Sequence, residues 1–293
     1  MLTKKWLHTC TTTHFNCRGA SNPCQLSAAR ILDLGTEGLL GPVRVLEGNE
    51  LPKVLRYMTL SHCWGGLAIP QLTRKTHKRF RERMNSKAFP RTFRDAITIT
   101  RLLGIRYLWI DSLCIVQDDY RDWEEQARQM GQIYSHAYCN LAATAAKDGR
   151  DGLLQFLARH PQALMPLDVC IPNMGQIKDQ QVSGTDHGLQ YPQRNEDWNG
   201  MDPGFYRCVD PFLWRREITE SPLGLRAWAV QERLLAPRVI HFGRTQIFWV
   251  GMPDIYLGFN WRGAFWFAKL IGSIYRESMQ HVIIASNADY DNL

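Results

Sequence analysis

Apolar residues in this chain gather into two kinds of run, and their order predicts an α/β domain. Tyr57–Ser61 (YMTLS), Ile105–Ile110 and Tyr138–Ala143 are short and almost wholly apolar, the composition of strands buried on both faces. Between them lie two segments with apolar positions at helical spacing. In the first, Phe93, Ala96, Ile97, Ile99 and Leu103 share one face; Thr92 is the expected N-cap, with Asp95 three residues on, and Gly104 is placed to close the helix. The second helix is expected to start at Asp122, capped by that side chain with Glu125 at the third helical position. Its core face is read as Trp123, Ala127, Met130, Tyr134 and Ala137, with Glu124, Glu125 and Arg128 pointing elsewhere. Strand, helix, strand, helix, strand from residue 57 to 143, joined by right-handed crossovers, predicts a parallel sheet flanked by helices.

Beyond that block the pattern weakens and then returns. Residues 153–221 mix Pro, Gly, Asp and Gln without periodicity and read as a long irregular insertion. A short helix is predicted from Ala227 to Leu235, stopped by Pro237, then a strand Val239–Phe242, a turn at Gly243-Arg244-Thr245 and a strand Gln246–Val250. The organisation expected is a lead-in segment over 1–50, holding the short apolar run Arg30–Gly35, a domain over 51–250 and a tail over 251–293.

Composition narrows the class. The 293 residues are 45% hydrophobic, enough for a sizeable core. A net charge of +7 raises the question of nucleic acid, but the basic residues are scattered apart from Arg74–Arg83 (RKTHKRFRER), and no nucleic-acid module accompanies that cluster, which reads as a solvated face. The eight cysteines show no disulfide framework and point to reduced thiols and a cytoplasmic protein. Cys10, His14, Cys17 and Cys24 resemble a compact zinc set but match no common finger spacing, so incidental thiols and a solvated histidine stand beside that reading. No N-terminal apolar run has signal length, and Tyr256–Tyr275 carries Arg262 and Lys269, too polar for a membrane span.

Three blocks carry a resemblance. LSHCWGG, YLWIDSLCIVQDDYRDWEEQARQMGQIYSHA and RAWAVQERLLAPRVIHF, in that order, closely resemble the blocks of the fungal heterokaryon incompatibility (HET) domain, and KKWLHTCTTTHFNC looks like its lead-in. The resemblance implies an effector in fungal non-self recognition that triggers regulated cell death. That family is in turn remotely similar to the Toll/interleukin-1 receptor (TIR) domain, which implies a flavodoxin-like fold. Trp228–Leu234 (WAVQERL) looks like the Trp-Cys-Leu-x-Glu-Leu of enzymatic TIR domains, in which the Glu is required to split NAD. Carried over, that residue is Glu232. HET domains commonly close their third block with Trp-Glu-Cys; here Trp249 is followed by Val250 and Gly251, which implies a divergent, truncated or mis-spliced tail.

The chemistry fits one carboxylate. Nicotinamide is already a cationic leaving group, so the bond to ribose needs mainly an anion that stabilises oxocarbenium charge. Glu232 is the candidate catalytic residue, although between Gln231 and Arg233 it also reads as a surface ion-pair residue. Trp228, one turn earlier, either walls the site or fills core. Asp111, at a strand end beside the expected ligand crevice, binds a ribose hydroxyl, orients a loop or caps a turn. Ser61, Trp64 and Gly65 shape the nucleotide crevice or form a structural turn. Ser61, His62 and Cys63 with Asp111 suggest nucleophilic hydrolysis only weakly, since no nucleophile elbow is present. Asp118 and Asp119 read as an acidic turn rather than a metal site. No cofactor is expected; NAD is the expected substrate, in an NAD glycohydrolase. The alternative is a non-enzymatic TIR-like module that signals by self-association or with other signalling proteins.

Overall fold

The computed structural model describes residues 2–13, 17, 23–39, 41–66, 68–154, 167–171, 204–208 and 212–251. The chain divides into two compact units, Met1–Leu164 with Phe212–Phe259, and Met165–Pro211 with Asn260–Leu293. In the first, a seven-stranded sheet is assembled from β1 (Arg30–Asp33), β2 (Arg44–Glu47), β3 (Tyr57–Ser61), β4 (Tyr107–Trp109), β5 (Cys139–Ala142), and the two strands after the insertion, here β8 (Arg238–Phe242) and β9 (Ile247–Gly251). In the second, β6 (Leu167–Ile171) pairs antiparallel with β7 (Gly204–Cys208), so the region read as irregular contains a strand pair.

The large sheet has the order β2-β1-β4-β3-β5-β8-β9. Its four central strands, β4-β3-β5-β8, are parallel, while β1, β2 and β9 join antiparallel at the two sides. Numbered by appearance, the parallel core runs 2-1-3-4, the order of flavodoxin-like sheets. Strands β3, β5 and β8 are buried at every position, as strands covered on both faces must be. Tyr57, Met58, Leu60, Leu108, Trp109, Leu141 and Ile240 form the centre of the core.

The helices are α1 (Leu2–Thr13), α2 (His77–Arg81), α3 (Arg91–Leu102), α4 (Asp111–Cys114), α5 (Tyr120–Ser135) and α6 (Ala227–Leu235). The predicted face of α3 is buried, and Gly104 closes the helix at φ +79°. Its capping differs from expectation. The helix begins at Arg91 after Pro90, so Thr92 lies inside the first turn, where its hydroxyl donates to Asp148 O at 3.2 Å and accepts from Gly152 N at 3.1 Å. Asp95 accepts from Leu153 N at 2.9 Å, so both residues hold the 148–153 loop instead of capping each other.

Helix α5 also starts earlier than predicted. Asp119 is its cap, accepting from Arg121 N and Asp122 N, because the Asp122 carboxylate is taken by Arg30 of β1 at 2.9 and 3.0 Å and by Val116 N at 2.7 Å. The buried face is turned accordingly: Gln126, Ile133 and Tyr134 are buried, whereas Trp123 is exposed and stacks on Tyr120. Gln126 faces inward because its side-chain oxygen accepts from Ala29 N at 3.0 Å.

The N-terminal segment is built into the same unit. Trp6 of α1 meets Trp249 of β9 with ring centroids 6.2 Å apart, and Cys10 accepts from the buried Arg238 at 3.2 Å. Of the four zinc candidates, His14 lies outside the described residues; Cys24 donates to His136 O at 3.5 Å, a partner unrelated to Cys10. Three arginines of the basic cluster are charge-paired: Arg74 with Asp119 at 2.9 Å, Arg81 with Glu47 and Glu50 at 3.2 Å, and Arg83 with Glu37. No helix among the described residues is long and apolar enough to cross a membrane. The tail over 252–293 lies outside the described residues.

Candidate functional site

After β3 the chain runs to β4 on one side, while β5 lies on the other, so the sheet reverses its order between β3 and β5. The carboxyl ends of strands at such a point open a crevice where ligands of α/β proteins bind. Here Ser61, Ala142 and His241 are aligned in one row across β3, β5 and β8, with Thr59 opposite Asn140 two residues below. Buried parallel strands are ordinarily aliphatic. These are not: Thr59, Ser61, Asn140, Thr144 and His241 are all at most 3% exposed. They bond to one another, Thr59 Oγ1 to Asn140 Oδ1 at 3.0 Å, Asn140 Nδ2 to Ser61 Oγ at 3.0 Å, and Thr144 Oγ1 with His241 Nδ1 at 3.0 Å. A buried polar network of that kind is costly unless its members are satisfied by one another.

Helix α6 carries Glu232 to this row. The helix follows the extended Arg226 and ends before Pro237, which lacks the N–H to continue it. Glu232 is buried, 7% exposed, with its carboxyl against the Ser61 hydroxyl and the Tyr134 phenol of α5. Burial pushes its pKa up to about 7; the negative charge of Asp111 adds to the rise, while the Ser61 hydrogen bond, the Arg226 charge and Tyr134 oppose it. A carboxyl balanced between its two forms near neutrality can take or give a proton, and when ionised is a strong fixed anion.

Asp111 opens α4 directly after β4. Its carboxylate accepts from Trp64 Nε1 at 3.1 Å and Ser112 N at 2.6 Å, so Trp64 fixes the orientation of Asp111 and the loop after β3 is tied to the end of β4. Gly65 has φ +68°, and a Cβ there would fall 2.2 Å from Asp148 Cβ, so its glycine is required by the 147–148 backbone pressed against it. Trp228 is 52% exposed and is not core.

His62 and Cys63 do not form a nucleophilic pair with Ser61. Ser61 points to Asn140 and Glu232, whereas the buried His62 ring packs edge-on against Phe93 at 4.9 Å. His62 Nδ1 is 3.8 Å from Asp111 Oδ1, beyond hydrogen-bond range, and burial lowers the ring's pKa. Burial raises the Cys63 thiol, the opposite of activation. Among the described residues no group of three or more His, Cys, Asp or Glu is arranged to hold a metal.

Glu232, Ser61, Trp64 and Asp111 are thus linked through direct contacts or charge at the carboxyl ends of β3 and β4, with Gly65 shaping the loop after β3 and Trp228 on the solvent side of α6. Sequence reading missed Tyr134 as a site residue, and with it Arg226, Asn140, Thr144 and His241. Asn140 offered a signal, a carboxamide inside the otherwise apolar run CNLAA. Arg226 donates to His62 O across a separation of 164 residues, which no local pattern announces.

Comparison with known proteins adds one finding. The family model described as heterokaryon incompatibility protein (HET) matches residues 57–232, more than half of the chain. No curated protein and no solved structure matches.

Proposed function

This chain belongs to the heterokaryon incompatibility family, which supports a role in heterokaryon incompatibility, and on that premise we propose that its crevice cleaves NAD at the nicotinamide–ribose bond, making it the effector of a non-self response that ends in cell death. The observation that carries the reading is Glu232, a buried carboxyl with a pKa near neutrality, set against Ser61 at the carboxyl end of β3. The parallel order β4-β3-β5-β8 supports the remote likeness to TIR domains.

In this reading the ionised Glu232 stabilises positive charge developing at the ribose C1′. The C1′–N bond breaks with its electron pair passing to the pyridinium nitrogen, so nicotinamide leaves neutral. Water oxygen then bonds to C1′ and its proton passes to Glu232. Asp111, held by Trp64, faces a ribose hydroxyl, and Trp228 covers the ring from the solvent side.

The test is nicotinamide release from NAD by the purified full chain, with Glu232→Gln and Glu232→Ala beside it. Loss of turnover and of cell death together in both variants is expected. NAD left intact by protein concentrated enough to assemble, with death unaffected, sinks the enzymatic reading. A second reading, a non-enzymatic TIR-like module acting by self-association, is favoured by the apolar surface around α6, where Leu225 is 76% and Trp228 52% exposed. Substituting Leu225 by Asp separates the two: it abolishes death without changing turnover per dissociated chain only if association is the signal.

A further inference from the structure

His241 lies beyond the segment matched by the family, yet it stands in the same row as Ser61. Its ring is 2% exposed, and among the described residues Nε2 has no hydrogen-bond partner. We assign the tautomer from its neighbour: with the Thr144 hydroxyl donating to Ala142 O at 3.2 Å, Thr144 Oγ1 accepts from Nδ1–H of His241 at 3.0 Å. Nε2 then presents a bare lone pair. Burial, with Arg233 nearby, lowers the ring's pKa to about 3, so the imidazole stays neutral.

That ring lines a cavity of about 20 Å³ with Ser61, Asn140, Thr144 and Arg233, beneath Ala229 of α6. The volume admits about one water-sized group. A buried acceptor left unpaired is rare in native proteins and calls for a donor. Arg233 disfavours a cationic one, since its charge already acts on the ring.

We propose that this cavity is a ligand subsite that takes one neutral hydrogen-bond donor, an amide N–H or a hydroxyl, on His241 Nε2, with Ser61 joining it to the crevice of Glu232. It rests on the reading that the crevice receives NAD, whose carboxamide and ribose hydroxyls are the two sources of such a donor. Room for about one water-sized group suits the end of a ligand rather than its phosphates.

Titration calorimetry on the full chain tests this with nicotinamide as the amide probe and ADP-ribose as the hydroxyl probe. Neither is cleaved by the proposed reaction, so binding is read whether or not NAD is turned over. His241→Asn keeps an amide donor for Thr144 but deletes the Nε2 lone pair; His241→Gln sets a carbonyl oxygen in its place. We expect His241→Asn to weaken one probe about tenfold, the loss of one neutral hydrogen bond, and His241→Gln to restore it. The probe affected identifies the source. Equal weakening by both variants, no weakening of either probe, or no binding of either probe to the wild type overturns the subsite. Probe binding that responds to His241 while NAD stays intact keeps the subsite and removes the glycohydrolase.

Discussion

Replacing Glu232 by Gln separates the catalytic and the structural consequences of burying a carboxyl. With a pKa near 7 in the folded chain against an ordinary 4.5, Glu232 holds its proton more tightly when folded. The stability that proton contributes is fully present below about pH 4.5 and is lost as pH rises through about 7. At about 1.4 kcal/mol for each tenfold in proton affinity, the whole effect is roughly 3 kcal/mol. Gln cannot ionise and keeps a similar shape between Ser61 and Tyr134, so Glu232→Gln escapes that loss. Relative to the wild type it should gain up to roughly 3 kcal/mol between pH 5 and pH 8.5, on top of a constant offset from the new amide. Urea unfolding followed by tryptophan fluorescence at pH 5, 7 and 8.5 measures the difference, and groups common to both proteins cancel. A difference that is flat with pH, or that turns against Glu232→Gln at high pH, would refute the placement of a strained, buried carboxyl. Stabilisation together with lost NAD cleavage is the trade-off expected of a residue kept for chemistry rather than for stability.

Three further outcomes follow from the same geometry. Gly65→Ala should cost upwards of roughly 3 kcal/mol, because φ is +68° and the added carbon meets Asp148 at 2.2 Å, whereas Gly66→Ala, with φ +66° and open space, should cost about 1 kcal/mol; urea denaturation compares them. Asp111→Asn removes a charge that raises the Glu232 pKa and Arg226→Met removes one that lowers it, so the pH limb of nicotinamide release should move down in the first variant and up in the second. Trp228→Ala, at a position 52% exposed, should leave stability within about 0.5 kcal/mol, so any loss of function reads out ligand contact through KM or association through sedimentation velocity.

Much of the scaffold was legible because its signals are local. β3 and α6 have the boundaries their sequence predicts, the face of α3 follows its periodicity, and Gly104 ends it as a left-handed residue. What failed depended on distant partners. Two aspartates suit the start of α5, and the choice of Asp119 is made by Arg30, 92 residues from Asp122, which occupies the other. β1 and β2 are four residues each, too short for a pattern to declare them, whereas β4 falls inside the strand predicted over Ile105–Ile110. At the site, resemblance singled out Glu232, but its flanks, Gln231 and Arg233, look like a surface helix. Its burial is a product of packing against Ser61 and Tyr134.

The antiparallel strands at the two sides of the sheet bear on how the protein can be cut and exchanged. β1, β2, β8 and β9 all fall outside residues 57–232. A fragment trimmed to that segment would bare the ladders of β4 and β5, inviting aggregation, and would end at Glu232 with His241 gone. The stretch matched by the family model is therefore shorter than the stretch that completes the sheet. Recombination or expression borders that respect folding run from before β1 to after β9.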